Sequence, residues 1–331
     1  MTYDQIISDL DRKIYSPIYL LMGEEPFYID KISDLIAKNI LTDTEREFNQ
    51  TVVYGKDTDA RLIDNMAKRY PMMANHQVLI VKEAQDIKNI DDLQHYAEKP
   101  LKSTILVLCY KYKKIDKKKK LYKAVEKNGI VFDSKKLYDN QIPDWIAAQL
   151  RQRAFSIMPD AAAMLSEFLG NDLNKISNEI NKLCIVLKPG SRITALEIEK
   201  NIGVSKDYNI FELQKALGDK DILKVNKIVN YFAENQKEHN IIMVITALFG
   251  YFTKLLTIYF IQDKSQTNLA SVLQVNPYFV KDYQVAIKKY PAKKLVEIIS
   301  LLREYDMKSK GVDSSAEPGE LLRELMFKIL H

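Results

Sequence analysis

Three short stretches hold residues whose types and spacing bear on chemistry. The first is Gly23-Glu24-Glu25-Pro26, set between the apolar run Ile18-Tyr19-Leu20-Leu21-Met22 and isoleucines at 29, 32, 36 and 40. Strand, glycine turn and helix is the setting of a phosphate-binding loop, because N–H groups at a helix N-terminus attract anions. The residues are wrong for that task. Counted from Gly23, the places of the second glycine, the lysine and the hydroxyl residue hold Tyr28, Ile29 and Asp30. Glu24 and Glu25 put negative charge where a phosphate would lie, and a carboxylate there is stabilised by the helix dipole. The stretch reads as a nucleotide-binding scaffold without a nucleotide, the glutamates serving as a cap or as a built-in anion. An ATPase of this type also needs acidic residues at a core strand end to hold magnesium. The run 78–81 ends in Lys82-Glu83 and the run 104–108 in Cys109-Tyr110, so neither supplies a paired acidic ending. Glu83 reads as a solvated strand end.

The second stretch is Pro71-Met72-Met73-Ala74, between a helical pattern ending before Tyr70-Pro71 and the strand at 78–81. Adjacent side chains on a regular element point in different directions, so both methionines cannot face one core. Either one is buried and the other is a tolerated surface residue, or both form a flexible apolar wedge for a partner's pocket. The unbranched thioether suits the second use, since it adapts to irregular cavities. The third stretch, KYKKIDKKKKLYK at 111–123, interleaves lysines with Tyr112 and Tyr122. Lys117, Lys118, Lys119 and Lys120 are either a solvated helix start or a phosphate-contacting surface, since lysines release counterions from nucleic acid.

Other chemistries find no support. His76, His95, His239 and His331 lack metal-ligand spacing. No Gly-x-Ser-x-Gly elbow or Cys–His pairing offers a nucleophile. No cofactor or metal is expected. Two cysteines, Cys109 and Cys184, make no disulfide framework, so a reducing, cytoplasmic setting fits. The opening MTYDQIISDLDRK is amphipathic and unlike a signal peptide. The most apolar stretch, 241–261, is broken by threonines, Gly250 and Lys254, and reads as unable to span a bilayer. A net charge of +5 permits a nucleic-acid partner without requiring one.

These stretches need elements to position them. Val/Ile/Leu-rich runs at 18–22, 51–54, 78–81, 104–108 and 130–132 alternate with helical patterns. That predicts an α/β N-terminal domain, a largely parallel sheet with helices on both faces. After about residue 140 strand signals disappear. Trp145, Ile146 and Leu150 share a helical face, Met164, Leu165 and Phe168 another, and Leu173, Ile176, Ile180, Leu183 and Leu187 form a stripe. Thr194 with Glu197 reads as a capping box. A hinge is expected at 203–208, then helices to 331 with a loop at 308–319.

Taken together, YLLMGEEPFYIDK, PMMANHQVLIVKE, STILVLCYKYKKIDKKKKLYKAVEKNGIVFD, LGNDLNKISNEINKL, NIFELQKALGDKD and REYDMKSKG stand in an order that resembles the delta subunit of the bacterial DNA polymerase III clamp loader. The resemblance runs nearly end to end. It implies a RecA-like AAA+ domain that has lost ATP binding (1–140), a helical lid (141–208) and a helical collar for oligomerisation (209–331). It implies no catalytic site in the chain itself, which would be a subunit of a DNA-directed DNA polymerase holoenzyme. In this family two apolar residues before the third strand enter a hydrophobic pocket of the ring-shaped beta sliding clamp. Alignment on Gln77 makes them Met72 and Met73, flanked by Pro71 and Ala74. Leucine and phenylalanine are the family's commoner choices; methionine keeps the apolar bulk and lacks the aromatic face. The implied partners are the sliding clamp, the gamma/tau and delta prime loader subunits and primed DNA, with no membrane. The rival reading is a divergent AAA+ ATPase acting on nucleic acid; a third is a helical protein that binds duplex without any clamp.

Overall fold

The apolar run at 18–22 becomes a central strand because both of its faces are covered. In the computed structural model, β1 (Ile18–Gly23) is buried along its whole length. It lies between β4 (Thr104–Lys111) and β5 (Ile130–Ser134), and the sheet continues through β3 (Gln77–Lys82) to β2 (Gln50–Tyr54). All four pairings are parallel, with Leu20 opposite Leu108 and Val131. The order 5-1-4-3-2 is that of the RecA-like AAA+ domain the resemblance implied. Successive strand residues point to opposite faces. Leu20, Met22, Leu79, Val81, Leu106 and Leu108 therefore join one core, and Tyr19, Leu21, Val78, Ile80, Ile105 and Val107 the other. The first core is closed by α4 (Ala60–Ala67), α5 (Gln94–Glu98) and α6 (Lys120–Asn128), the second by α1 (Tyr3–Asp11) and α2 (Pro26–Asn39). The short α3 (Asp43–Asn49) leads directly into β2, the edge strand. Two strands outrun their apolar runs: β4 extends to Lys111 and β5 to Ser134.

The structure describes residues 1–203 and 207–331, in two compact units, Met1–Leu137 and Tyr138–His331. The second unit begins with α7 (Ile142–Arg151), α8 (Pro159–Leu169), α9 (Leu173–Val186) and α10 (Ala195–Ile202). The second unit departs from the sequence expectations in three places. Strands do not vanish after residue 140, since β6 (Ser156–Ile157) pairs with β7 (Arg192–Ile193); two residues are too short to leave a periodic signal. Phe168 is exposed, and Leu187 lies just past the end of α9, half-buried. The Thr194–Glu197 capping box is present. The expected hinge at 203–208 falls partly on residues 204–206, outside the described residues.

From residue 210 onward one apolar core draws on α11 (Ile210–Asp219), α12 (Ile222–Glu234), α13 (Ile241–Ile258), α14 (Gln266–Leu273), α15 (Val280–Ala286), α16 (Ala292–Ser309) and α17 (Pro318–Leu330). Helix α13 corrects the membrane-length expectation: it is unbroken and, by length and composition, apolar enough to cross a bilayer. Its threonines do not interrupt it, because Thr246 and Thr257 donate back to the carbonyls of Ile242 and Thr253 at 2.8 and 2.9 Å. Ile241, Val244, Ile245, Leu248, Tyr251, Phe252, Leu255 and Ile258 form a buried stripe at helical spacing, as in a core helix.

Candidate functional site

The methionine pair hangs from a connection whose two ends are tied to the sheet domain by amide side chains. Helix α4 stops at Ala67, whose carbonyl accepts the Thr104 hydroxyl at 2.8 Å and the Gln77 amide at 3.2 Å. The Gln77 Nε2 also reaches the Arg69 carbonyl at 2.6 Å and the Thr104 hydroxyl at 2.7 Å. These contacts satisfy carbonyls that a helix end leaves without partners. Further along, the Met72 N–H donates to Asn49 Oδ1 at 2.6 Å, and Asn49 Nδ2 donates to the Met72 carbonyl at 2.9 Å. Asn49 itself is buried at the end of α3.

Met73 then takes φ +51°, in the left-handed region. For a residue with a Cβ this costs roughly 1–2 kcal/mol, and such outliers concentrate at functional positions. The turn throws the side chain clear of the domain. Met73 is fully exposed and Met72 is 63% exposed. The reading in which one methionine is buried is therefore not the one observed. Pro71 and Ala74 are half-buried, Ala74 against the core that holds Tyr19 and Ile80. Phe48 and Tyr70 are also exposed, and with Met72, Asn49, Met66 and Gln77 they border a cavity of about 140 Å³. The sequence reading missed Phe48, Asn49 and Tyr70. No spacing links position 49 to position 72, since the pairing crosses from the end of α3 to the far side of α4.

The loop after β1 is built the opposite way. Gly23, at φ +132°, donates its N–H to the Lys113 carbonyl at 3.2 Å, and the Glu24 N–H donates to the Ser134 carbonyl at 2.9 Å. Glu25 caps α2 by accepting the Phe27 N–H at 3.1 Å, and its carbonyl accepts the Ser134 hydroxyl at 2.7 Å. The N–H groups of Gly23, Glu24 and Phe27, which a phosphate in this loop would draw on, are thus engaged within the protein. Glu25 is buried and Glu24 exposed, so the two carboxylates do not act as a pair. A Cβ on Gly23 would lie 2.1 Å from the Ser134 carbonyl oxygen. Asp30, at the hydroxyl-residue position, forms an ion pair with Lys111 at 2.7 Å. Burial pulls the Lys111 ammonium down, but the hydrogen bond and charge of Asp30 outweigh it and leave it above the ordinary lysine value. At the end of β3, Glu83 is half-buried in left-handed backbone. Among the described residues no cluster of three or more His, Cys, Asp or Glu is arranged to hold a metal. Burial pushes the Cys109 thiol up to about 12, so it stays protonated and unreactive.

Lys117, Lys118, Lys119 and Lys120 are all exposed at the start of α6. Lys119 pairs with Asp91 at 2.8 Å, and that hydrogen bond raises its pKa. Among the described residues Lys117, Lys118 and Lys120 make no ion pair. Tyr112, exposed with φ +61°, stands in the same basic segment.

Similarity to known proteins runs along both units of the chain. The family model described as "DNA polymerase III, delta subunit" matches residues 19–135, and that for the "DNA polymerase III delta subunit, C-terminal domain" matches residues 207–327. The DNA polymerase III subunit delta of Bacillus subtilis (strain 168) is 26% identical over 341 aligned residues, covering 98% of this chain and 95% of the relative. Among solved structures, the Bacillus subtilis DNA clamp loader delta protein superposes with a TM-score of 0.55 at 22% identity, covering 99% of each chain. That likeness extends the shared fold through both units.

Proposed function

The chain belongs to the DNA polymerase III delta-subunit family, and on that premise we propose that it binds the beta sliding clamp and helps open the ring for loading onto primed DNA. The observation that carries the proposal is the presentation of Met72 and Met73, exposed on a turn whose base is hydrogen-bonded to the sheet domain. A small set of large apolar side chains entering a desolvated pocket is the usual form of a binding hot spot. If the wedge fits the opened ring better than the closed one, the difference in affinity shifts the ring towards opening. No chemical step is required of this chain. ATP hydrolysis falls to the partner gamma/tau subunits, with delta prime completing the loader, and the collar at 209–331 joins them. The division into 1–140, 141–208 and 209–331 and a cytoplasmic location go with this reading.

Titration calorimetry against the same organism's clamp tests it. Saturable binding that is lost in Met72→Ala/Met73→Ala is the expected result; unchanged binding by that variant would move the wedge elsewhere. The rival reading, an ATPase with a divergent loop, predicts ATP binding by the isolated chain. The engaged N–H groups of Gly23, Glu24 and Phe27 favour the non-catalytic reading. The unpaired Lys117, Lys118 and Lys120 support a secondary, sequence-independent contact with DNA inside the assembled loader.

A further inference from the structure

Met73 is strained and exposed, and no packing of its own holds it in place. An exposed apolar loop of that kind would be expected to move, and a mobile wedge must be ordered when it binds. The structure contains a device against this. Asn49 forms a two-point hydrogen bond with a single residue of the loop, accepting the Met72 N–H at 2.6 Å and donating to the Met72 carbonyl at 2.9 Å. A second bond from Asn49 Nδ2, to the Glu45 carbonyl at 3.0 Å, fixes the amide's orientation from within α3. Asn49 is 4% exposed, so water does not compete for these bonds as it would at the surface. The amide places an acceptor and a donor on two separate atoms, which this geometry uses together; a carboxylate lacks the donor, an apolar side chain lacks both, and a hydroxyl has a single oxygen for the two tasks.

We infer that Asn49 is a positioning residue for partner binding: it touches no clamp atom itself but locks the Met72 backbone so that Met73 is held in its outward, left-handed turn before the partner arrives. Gln77 holds the other end of the connection, through the Arg69 carbonyl, and leaves the segment between them short. The inference rests on the clamp-binding reading of Met72 and Met73. It adds that affinity depends on a buried residue 23 positions upstream of the wedge.

The test uses the full chain and two substitutions, Asn49→Ala and Asn49→Asp. Asp keeps the acceptor for the Met72 N–H and loses the donor to the Met72 carbonyl, so it separates the two bonds and preserves side-chain volume. Hydrogen exchange is read at the Met72 amide and at the amides of Leu79 and Ile80 in the neighbouring strand, and clamp affinity is measured on the same preparations. Asn49→Ala is expected to speed exchange at Met72 by tenfold or more, leave Leu79 and Ile80 unchanged, and weaken clamp binding about tenfold, the order expected for two hydrogen bonds of ordinary net strength. Asn49→Asp is expected to retain protection at Met72. In a Met73→Ala background the effect of Asn49→Ala on affinity is expected to be clearly smaller than in the unaltered chain, Met72 alone being left for Asn49 to position, which a general loss of stability would not produce. Full additivity in that background, unchanged affinity of Asn49→Ala, or an unprotected Met72 amide in the unaltered chain would each overturn the inference. Absence of clamp binding by the unaltered chain overturns the functional reading and this inference together, and is read in its own arm.

Discussion

Two loops of the same sheet domain, both leading into or out of core strands, are built to opposite ends. The loop after β1 turns its polar groups inward. Gly23, Glu24 and Phe27 give their N–H groups to Lys113, Ser134 and Glu25, and Asp30 is closed by Lys111. The connection before β3 turns its side chains outward, with Met72 and Met73 exposed and Met73 in strained backbone. In the first loop glycine is needed because Ser134 comes too close for any Cβ. In the second, a residue with a Cβ occupies left-handed backbone at a cost, which is tolerable where the side chain has a use. One RecA-like sheet thus carries a loop closed on its own polar groups and a connection that presents two apolar side chains to solvent.

The largest expected effect that would break this contrast lies in the methionines. Met72→Ala with Met73→Ala should weaken clamp binding by about three orders of magnitude, at roughly 2 kcal/mol or more per hot-spot side chain if the two add. The melting temperature should fall by no more than a few degrees, as for ordinary surface changes. Calorimetry and a melting curve on one preparation check both halves. Loss of binding only through unfolding would make the methionines core residues.

Next in size is the glycine. Gly23→Ala drives a Cβ into the Ser134 carbonyl from backbone that side chains rarely adopt, and should cost about 3 kcal/mol or more in urea unfolding. The unaltered chain should show no ATP binding at millimolar nucleotide. Turnover that survives purification and disappears on changing Gly23 or Glu83 would mean that the loop opens.

The lysine run should matter less. Replacing Lys117, Lys118, Lys119 and Lys120 with alanine should weaken binding of the assembled loader to primed DNA and flatten its salt dependence by about one unit of slope per lost phosphate contact. Lys119 should contribute least, because Asp91 already holds it. An unchanged slope leaves these residues as a solvated surface.

A last test lies within the second unit. Glu167 Oε2 is inaccessible and has no hydrogen-bond partner, and burial pushes its carboxyl up to about 8 from an ordinary 4.5. Below pH 4.5 the group is neutral folded or unfolded and imposes no penalty. From about 4.5 to about 8 the unfolded chain releases a proton that the folded chain keeps, so this contribution to stability falls as pH rises. Glu167→Gln stays neutral throughout. Its melting temperature should match the unaltered chain's at pH 4 and exceed it by a margin that grows steadily from pH 5 to pH 8. Curves that run parallel would place Glu167 in water.

Much of the fold was readable because burial on both faces of a sheet leaves a continuous apolar run, and burial of one helix face leaves a 3.6-residue period. The five core strands and α2, α7 and α9 were legible for that reason. The two-residue strands β6 and β7 were not, being shorter than any period. Helix α13 misled through its threonines, whose hydroxyls bond back within the helix and do not break it.

The sequence alone determined which chemistry the first loop lacks. Tyr28, Ile29 and Asp30 stand where glycine, lysine and a hydroxyl residue are needed, and composition cannot be undone by folding. It also determined that two large apolar side chains stand adjacent at 72 and 73. Only the tertiary structure decided that both point outward, since exposure depends on the backbone turn at Met73 and on what else fills the core. It alone brought Ser134 onto Gly23 and Asn49 onto Met72. Those contacts join residues 111 and 23 positions apart, and a hydrogen bond between distant segments leaves no periodic trace in either one.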